Sequence, residues 1–141
     1  MKPDSLIDPG LIQAYLETHY HVFSDAPFFL KIGEPSAELL KLHEAQGLDC
    51  SAYVTAWNPF SRELEPGENN ARNATLVAEL QARGLAFVQG EGRHPISNYG
   101  EASFLIICVT RDEAKALGDR HQQNAVVWCG SDAVPELVLM K

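Results

Sequence analysis

The chain has 141 residues, 45% hydrophobic and 21% charged, the balance of a globular domain, and at this length one domain builds a core without disulfides or a structural metal. Its 19 Asp and Glu outnumber 11 Lys and Arg, for a formal charge of −8, which argues against nucleic acid as a partner because a phosphate backbone is repelled. The longest unbroken apolar run, Phe104 to Val109, is far shorter than a span of ~18 residues, and the opening MKPDSLIDPG lacks the apolar stretch of a signal peptide, so no membrane partner and a cytoplasmic location are expected.

Asp8-Pro9 is a helix-start signal, and a helix is predicted from Leu11 to Val22 with Leu11, Ala14, Tyr15 and Val22 on its apolar face. Ala26 to Ile32 reads as a short strand. A second helix runs from Ser36 to Gln46 and stops at Gly47. Ser51 to Trp57 alternates as a strand, Tyr53, Thr55 and Trp57 on one face, and Pro59 ends it. A third helix follows from about Asn69 to Arg83, ended by Gly84. Two strands, Leu85 to Gln89 and Glu101 to Thr110, flank a Gly-rich excursion from Gly90 to Gly100. The second of these is apolar on both faces and belongs at the centre of a sheet. A helix from Arg111 to Gln122 and strands Ala125 to Cys129 and Glu136 to Met140 complete the order α-β-α-β-α-β-β-α-β-β. The fold class is α+β or α/β: one domain over residues 1–141, a single mixed β-sheet covered by helices.

The three cysteines, Cys50, Cys108 and Cys129, have no metal-like spacing; Cys108 and Cys129 sit in apolar runs as small hydrophobes. No P-loop, nucleophile elbow or zinc motif occurs, and no metal or cofactor is implied. His19-x-His21 has the wrong spacing for one helix face, His94 lies in the Gly-rich excursion, and His121 reads as a packed or capping residue.

Polar residues at positions that patterning assigns to the interior mark the candidate site. Thr55-Ala56-Trp57-Asn58-Pro59 closes a strand, and in sheets with parallel strands ligands collect beyond such ends. Asn58 offers amide contacts and Trp57 a stacking face. Helical spacing aligns Asn69 and Asn73 with Leu76 and Leu80, with Arg72 beside them, at a helix start suited to an anion. The plainer reading is that one Asn caps the helix while Arg72 pairs with Glu68 or Glu101. Alternation puts Glu101 and Ser103 on one face with Leu105 and Ile107, so Glu101 needs a cation, for which Arg72 is the candidate. Gln123 points inward or merely solvates its turn.

Ala52-Tyr53-Val54-Thr55-Ala56-Trp57-Asn58-Pro59, Asn69-x-x-Arg72, Glu101-x-Ser103-Phe104-Leu105 and Gln123-Asn124-Ala125, in this order, resemble domain of unknown function 3293, a bacterial family, over about residues 28–139. In that family a Gly-x-Gly-Asp-Pro stretch and a Trp before the Glu-x-Ser are usual; here the segments read Gly90-Glu91-Gly92-Arg93-His94-Pro95 and Asn98-Tyr99-Gly100-Glu101. The resemblance implies a small stand-alone bacterial domain and supplies no activity, substrate or cofactor.

The expected function is binding of a small polar or anionic, nucleotide-like metabolite by Trp57, Asn58, Asn69, Arg72, Ser103 and Gln123. If chemistry follows, Glu101 is the general acid/base and Arg72 the charge stabiliser. The alternative is a non-enzymatic interaction or homodimerisation module in which Asn58, Arg72 and Glu101 form a structural network. A metal-dependent hydrolase would need scattered His and Glu ligands.

Overall fold

Why the opening apolar stretch does not stay helical as far as Val22 is visible at Thr18. In the computed structural model, which describes residues 8–96 and 100–140, helix α1 (Pro9–Glu17) stops there. Thr18 takes an extended backbone, and its hydroxyl donates to the Ala14 carbonyl at 2.7 Å. Beyond it His19-Tyr20-His21-Val22 alternates inward and outward as strand β1 (His19–Val22). The predicted helix from Leu11 to Val22 is therefore a short helix followed by a strand.

Strand β2 (Phe28–Leu30) and helix α2 (Ala37–Gln46) come next; Ser36 caps α2, and Gly47 ends it at φ +68° as the sequence suggested. Strand β3 (Ser51–Val54) is shorter than read, because the chain leaves the ladder at Thr55 and makes a single 3₁₀ turn at Pro59–Ser61. Helix α3 (Pro66–Ala82) begins earlier than expected, with Pro66 in its first turn. Strands β4 (Phe87–Arg93) and β5 (Gly100–Ile107) form a long hairpin, so Gly90 to Arg93 and Gly100 of the Gly-rich excursion are strand; Ser97, Asn98 and Tyr99 lie outside the described residues. Helix α4 (Arg111–Arg120), opened by a Thr110/Glu113 capping box, leads into β6 (Ala125–Cys129) and β7 (Pro135–Leu139).

The seven strands form one sheet in the order β2-β1-β4-β5-β3-β6-β7, with every pair antiparallel. The architecture is α+β, and the expectation of a mixed sheet is corrected: the strands that α2, α3 and α4 connect are never neighbours, so every hydrogen-bonded pair is antiparallel. Strand β5 is central, as its two apolar faces required. Phe104 and Ile106 pack with Leu76 and Leu80 of α3 and with Ala114 and Leu117 of α4. Leu105 and Ile107 face the other way, with Tyr53, Val127, Cys129 and Leu39 of α2. Gly118 lets α4 lie close on this sheet, since a Cβ there would stand 2.6 Å from Val126. Cys129 is buried and its thiol is pushed up to about 12 by desolvation. Cys108, in contrast, is exposed at φ +66°, just past the end of β5, although its place in the apolar run was expected to bury it. No helix among the described residues is long and apolar enough to cross a membrane.

Candidate functional site

Once Thr55 leaves the ladder, the backbone of residues 55–58 has no strand partner, yet Ala56 and Asn58 are buried. Buried N–H and C=O groups must be paired, and here side chains do it. Asn73 accepts the Ala56 N–H at 2.9 Å and donates to the Ala102 carbonyl at 2.9 Å, bridging the frayed ends of β3 and β5. Arg72 donates from Nε to the Ala56 carbonyl (2.9 Å) and from Nη2 to the His121 carbonyl (2.8 Å). Gln123 donates to the carbonyls of Trp57 and His121 at 3.2 and 3.3 Å. Asn69 accepts the Asn58 N–H and donates to Asn58 Oδ1, both at 2.7 Å.

The stripe of Asn69 and Asn73 seen in the sequence thus does not cap the helix, whose N-cap position is Glu65, and its amides bond to the chain beside them. It is a latch that holds the departing end of β3. The expected Arg72–Glu101 pair is not formed: among the described residues no ion pair joins them, and the guanidinium bridges two backbone carbonyls instead. The parallel-strand argument for the site falls as well, since β3 has only antiparallel neighbours.

The latch fixes one end of a cleft of about 520 Å³ between the sheet and α1. This lies within the ~300–1,000 Å³ of small-molecule sites. The floor is the face that carries Tyr53, Thr55 and Trp57 together with Glu101, Ser103, Ala125 and Val127. Trp57, Asn58, Ser103 and Gln123 line it, as does Glu101; Asn69 and Arg72 are not among its lining residues. Asn58 Nδ2 donates to Glu101 Oε2 at 3.4 Å, which orients the carboxylate. Partial desolvation of the half-buried Tyr15 raises its hydroxyl above the ordinary range, and the charge of Glu101 adds to the shift.

Opposite the floor, α1 presents Leu11, Ala14, Tyr15 and Thr18, spaced three and four residues apart. Yet no residue of α1 is buried. It is tethered by Tyr20 Oη donating to the Tyr15 carbonyl (2.7 Å) and by His94 facing Glu17 at 3.5 Å. The Tyr15 and Ser61 hydroxyls stand 3.4 Å apart. The sequence offered Leu11, Ala14 and Tyr15 as a helical face but gave no sign that the face looks onto open space.

Backbone strain gathers at the same rim. Asn58, Phe60, Ser61 and Gln122 all have positive φ, between 48° and 61°. The Phe60 N–H donates to the Gln122 carbonyl at 2.6 Å, joining the two strained segments. Asn tolerates this region, whereas Phe and Ser are held there at a cost of about 1–3 kcal/mol each, a pattern typical of binding sites.

A small polar cluster outside the cleft ties α3 to α4. Glu79 meets Arg120, His121 Nε2 at 2.9 Å and Arg83 at 3.5 Å. The Arg120 hydrogen bond is the main cause of a carboxyl held below its ordinary value. His121, whose carbonyl anchors Arg72 and Gln123, is thereby fixed from its ring as well. Among the described residues no three His, Cys, Asp or Glu side chains converge as a metal would require.

A family model described as protein of unknown function (DUF3293) matches residues 54–126, just over half of the chain. The matched stretch contains every latch residue together with Glu101 and Ser103, and leaves out α1 and the first two strands. Comparisons with curated proteins and with solved structures give no match.

Proposed function

The chain belongs to the family of proteins of unknown function DUF3293, and from the cleft that its latch residues shape we propose that it binds a small organic molecule between the sheet and α1. The observation that carries this reading is α1 itself. A nine-residue helix is marginal in water and owes its stability to what its apolar face packs against, and this face looks into the cleft. A ligand with an apolar body would supply that contact and be covered by the helix. The strained rim supports the same reading.

Trp57 and Ser103 contact the ligand, and Asn58 orients Glu101 towards it. Gln123 borders the ligand while holding the Trp57 carbonyl. Asn69 and Arg72 act at one remove, as positioning residues. An anionic metabolite suits this lining poorly. Its carboxylates are Glu63 and Glu101, and among the described residues none of the lining side chains is Lys or Arg. The rival reading, an interaction module in which the same polar residues are purely structural, accounts for the latch but leaves the space under α1 without an occupant.

The test is an amide NMR titration with phenethyl alcohol, a neutral probe with an apolar ring. Binding in the cleft shifts the amides of Leu11, Thr55, Ser103 and Val127. No shifts, or shifts confined to another face, would refute the reading.

A further inference from the structure

Several of the hydrogen-bond donors around the cleft are committed to the protein's own carbonyls. Tyr53 Oη donates to the His21 carbonyl at 2.8 Å and Tyr20 Oη to that of Tyr15 at 2.7 Å. Thr55 Oγ1 donates to Ala102 at 2.7 Å, Ser103 Oγ to Glu101 at 2.9 Å, and the Gln123 amide to Trp57 and His121. A hydroxyl has one hydrogen to give but two acceptor positions. With its hydrogen used in this way, each of these hydroxyls can offer a ligand only an oxygen. Two carboxylates, Glu63 and Glu101, line the cleft, while the lining His94 faces Glu17. Beside aliphatic side chains the lining carries the rings of Tyr15, Tyr20, Tyr53 and Trp57, and ring faces carry the negative side of a quadrupole that attracts cations.

An environment of acceptors, carboxylates and ring faces is complementary to an ammonium group, which has three donors and no acceptor. It is a poorer match for a carboxylate or phosphate, which would meet the oxygens of Thr55 and Ser103 and the carboxylates of Glu63 and Glu101. We infer that the ligand is an organic cation, a protonated amine on an apolar body, with its N–H groups directed at Glu101 and the oxygens of Thr55 and Ser103 and its body against Tyr15, Tyr53 and Trp57. This inference rests on the reading of the cleft as a binding site and adds the charge and donor character of what enters it.

Three probes separate the two claims: phenethylammonium, phenethyl alcohol and hydrocinnamate share a phenyl ring on a short chain and differ in charge. Calorimetric titration at neutral pH should rank them ammonium, alcohol, carboxylate in falling affinity, the first two separated by about tenfold or more, as expected for a charge-assisted hydrogen bond. Glu101→Gln should shrink that gap to about threefold or less, read as the ratio of the two affinities within the same variant. Its melting midpoint reports whether the variant is folded, and Glu63→Gln, at an exposed rim position, provides a second reduction of the gap that does not depend on Glu101. Equal affinity for all three probes, or tighter binding of the alcohol or the carboxylate, overturns the cation inference and leaves the cleft reading intact. If none of the three shifts the cleft amides, both fall.

Discussion

Arg72 and Glu101 looked like partners in the sequence, and the structure gives them different employers: Arg72 serves the backbone and Glu101 the cleft. That division makes their substitutions diverge. Arg72→Ala leaves the buried Ala56 carbonyl and that of His121 without their charged donor, at a cost of about 3 kcal/mol by urea denaturation. Arg72→Lys recovers little, because a point charge cannot span two carbonyls as the planar fork does. Glu101→Ala should cost less than about 1 kcal/mol; a loss as large as that of Arg72→Ala would make Glu101 part of the latch. Asn58 and Asn69 were legible as inward-facing polar residues because they break an apolar pattern, whereas Gln123 in its turn could be read either way. Their partners were not legible, since most of those partners are backbone groups of a segment whose exit from the sheet leaves no mark in side-chain periodicity. A second residue-scale effect is acid sensitivity. His43 is buried, donates or accepts at Ser51 Oγ over 2.8 Å, and its Nδ1 has no partner among the described residues. Desolvation holds its folded pKa below the ordinary 6.5. As pH falls through 6.5 the unfolded chain takes up the proton before the folded one, so stability present above that value is lost on acidification. His21, shifted the same way, adds to it. Glu79 begins a further loss below its ordinary 4.5. Urea midpoints measured against pH should show both limbs, with His43→Gln flattening the upper one; a flat profile above the carboxylate range would contradict the assignment.

At the scale of elements, β1 depends on a hole in its neighbour. Val22 pairs with Gly90 of β4, and Tyr53 Oη reaches across Gly90 to the His21 carbonyl. A Cβ on Gly90 would lie 2.1 Å from that carbonyl oxygen. Gly90→Ala should therefore push β1 off β4, lowering stability by about 2–3 kcal/mol or more and exposing the β1 amides to hydrogen exchange; exchange in β1 unchanged from wild type would show that the gap is not needed. This strand was misread because its alternating His-Tyr-His-Val follows a true helix start with no Gly or Pro between them, and the break at Thr18 is made by one ordinary residue bonding back to Ala14. The caps and stops that use specific chemistry, Ser36, Gly47 and Gly84, were readable for the opposite reason. The central place of β5 was readable because a strand buried on both faces has no polar alternation to hide.

Seen whole, the molecule has one face of its sheet filled by α3 and α4 and the other filled only at the α2 end, where Leu39 packs on Leu105 and Ile107. The other end of that face is the cleft, spanned by a helix that buries none of its own residues. Periodicity pointed to a single sheet with helices and the quoted motifs to a family, but strand order and the unfilled half-face depend on distances between elements far apart in sequence. The account stands on that unfilled space being where a ligand enters. The most direct measurement is the phenethyl alcohol titration by amide NMR, run on the wild type beside Ala14→Trp, which directs an indole from α1 into the cleft. The wild type should show saturable shifts at Leu11, Thr55, Ser103 and Val127 and the folded variant should show none. Identical shifts in the two proteins, or shifts away from the cleft in the wild type, would contradict it.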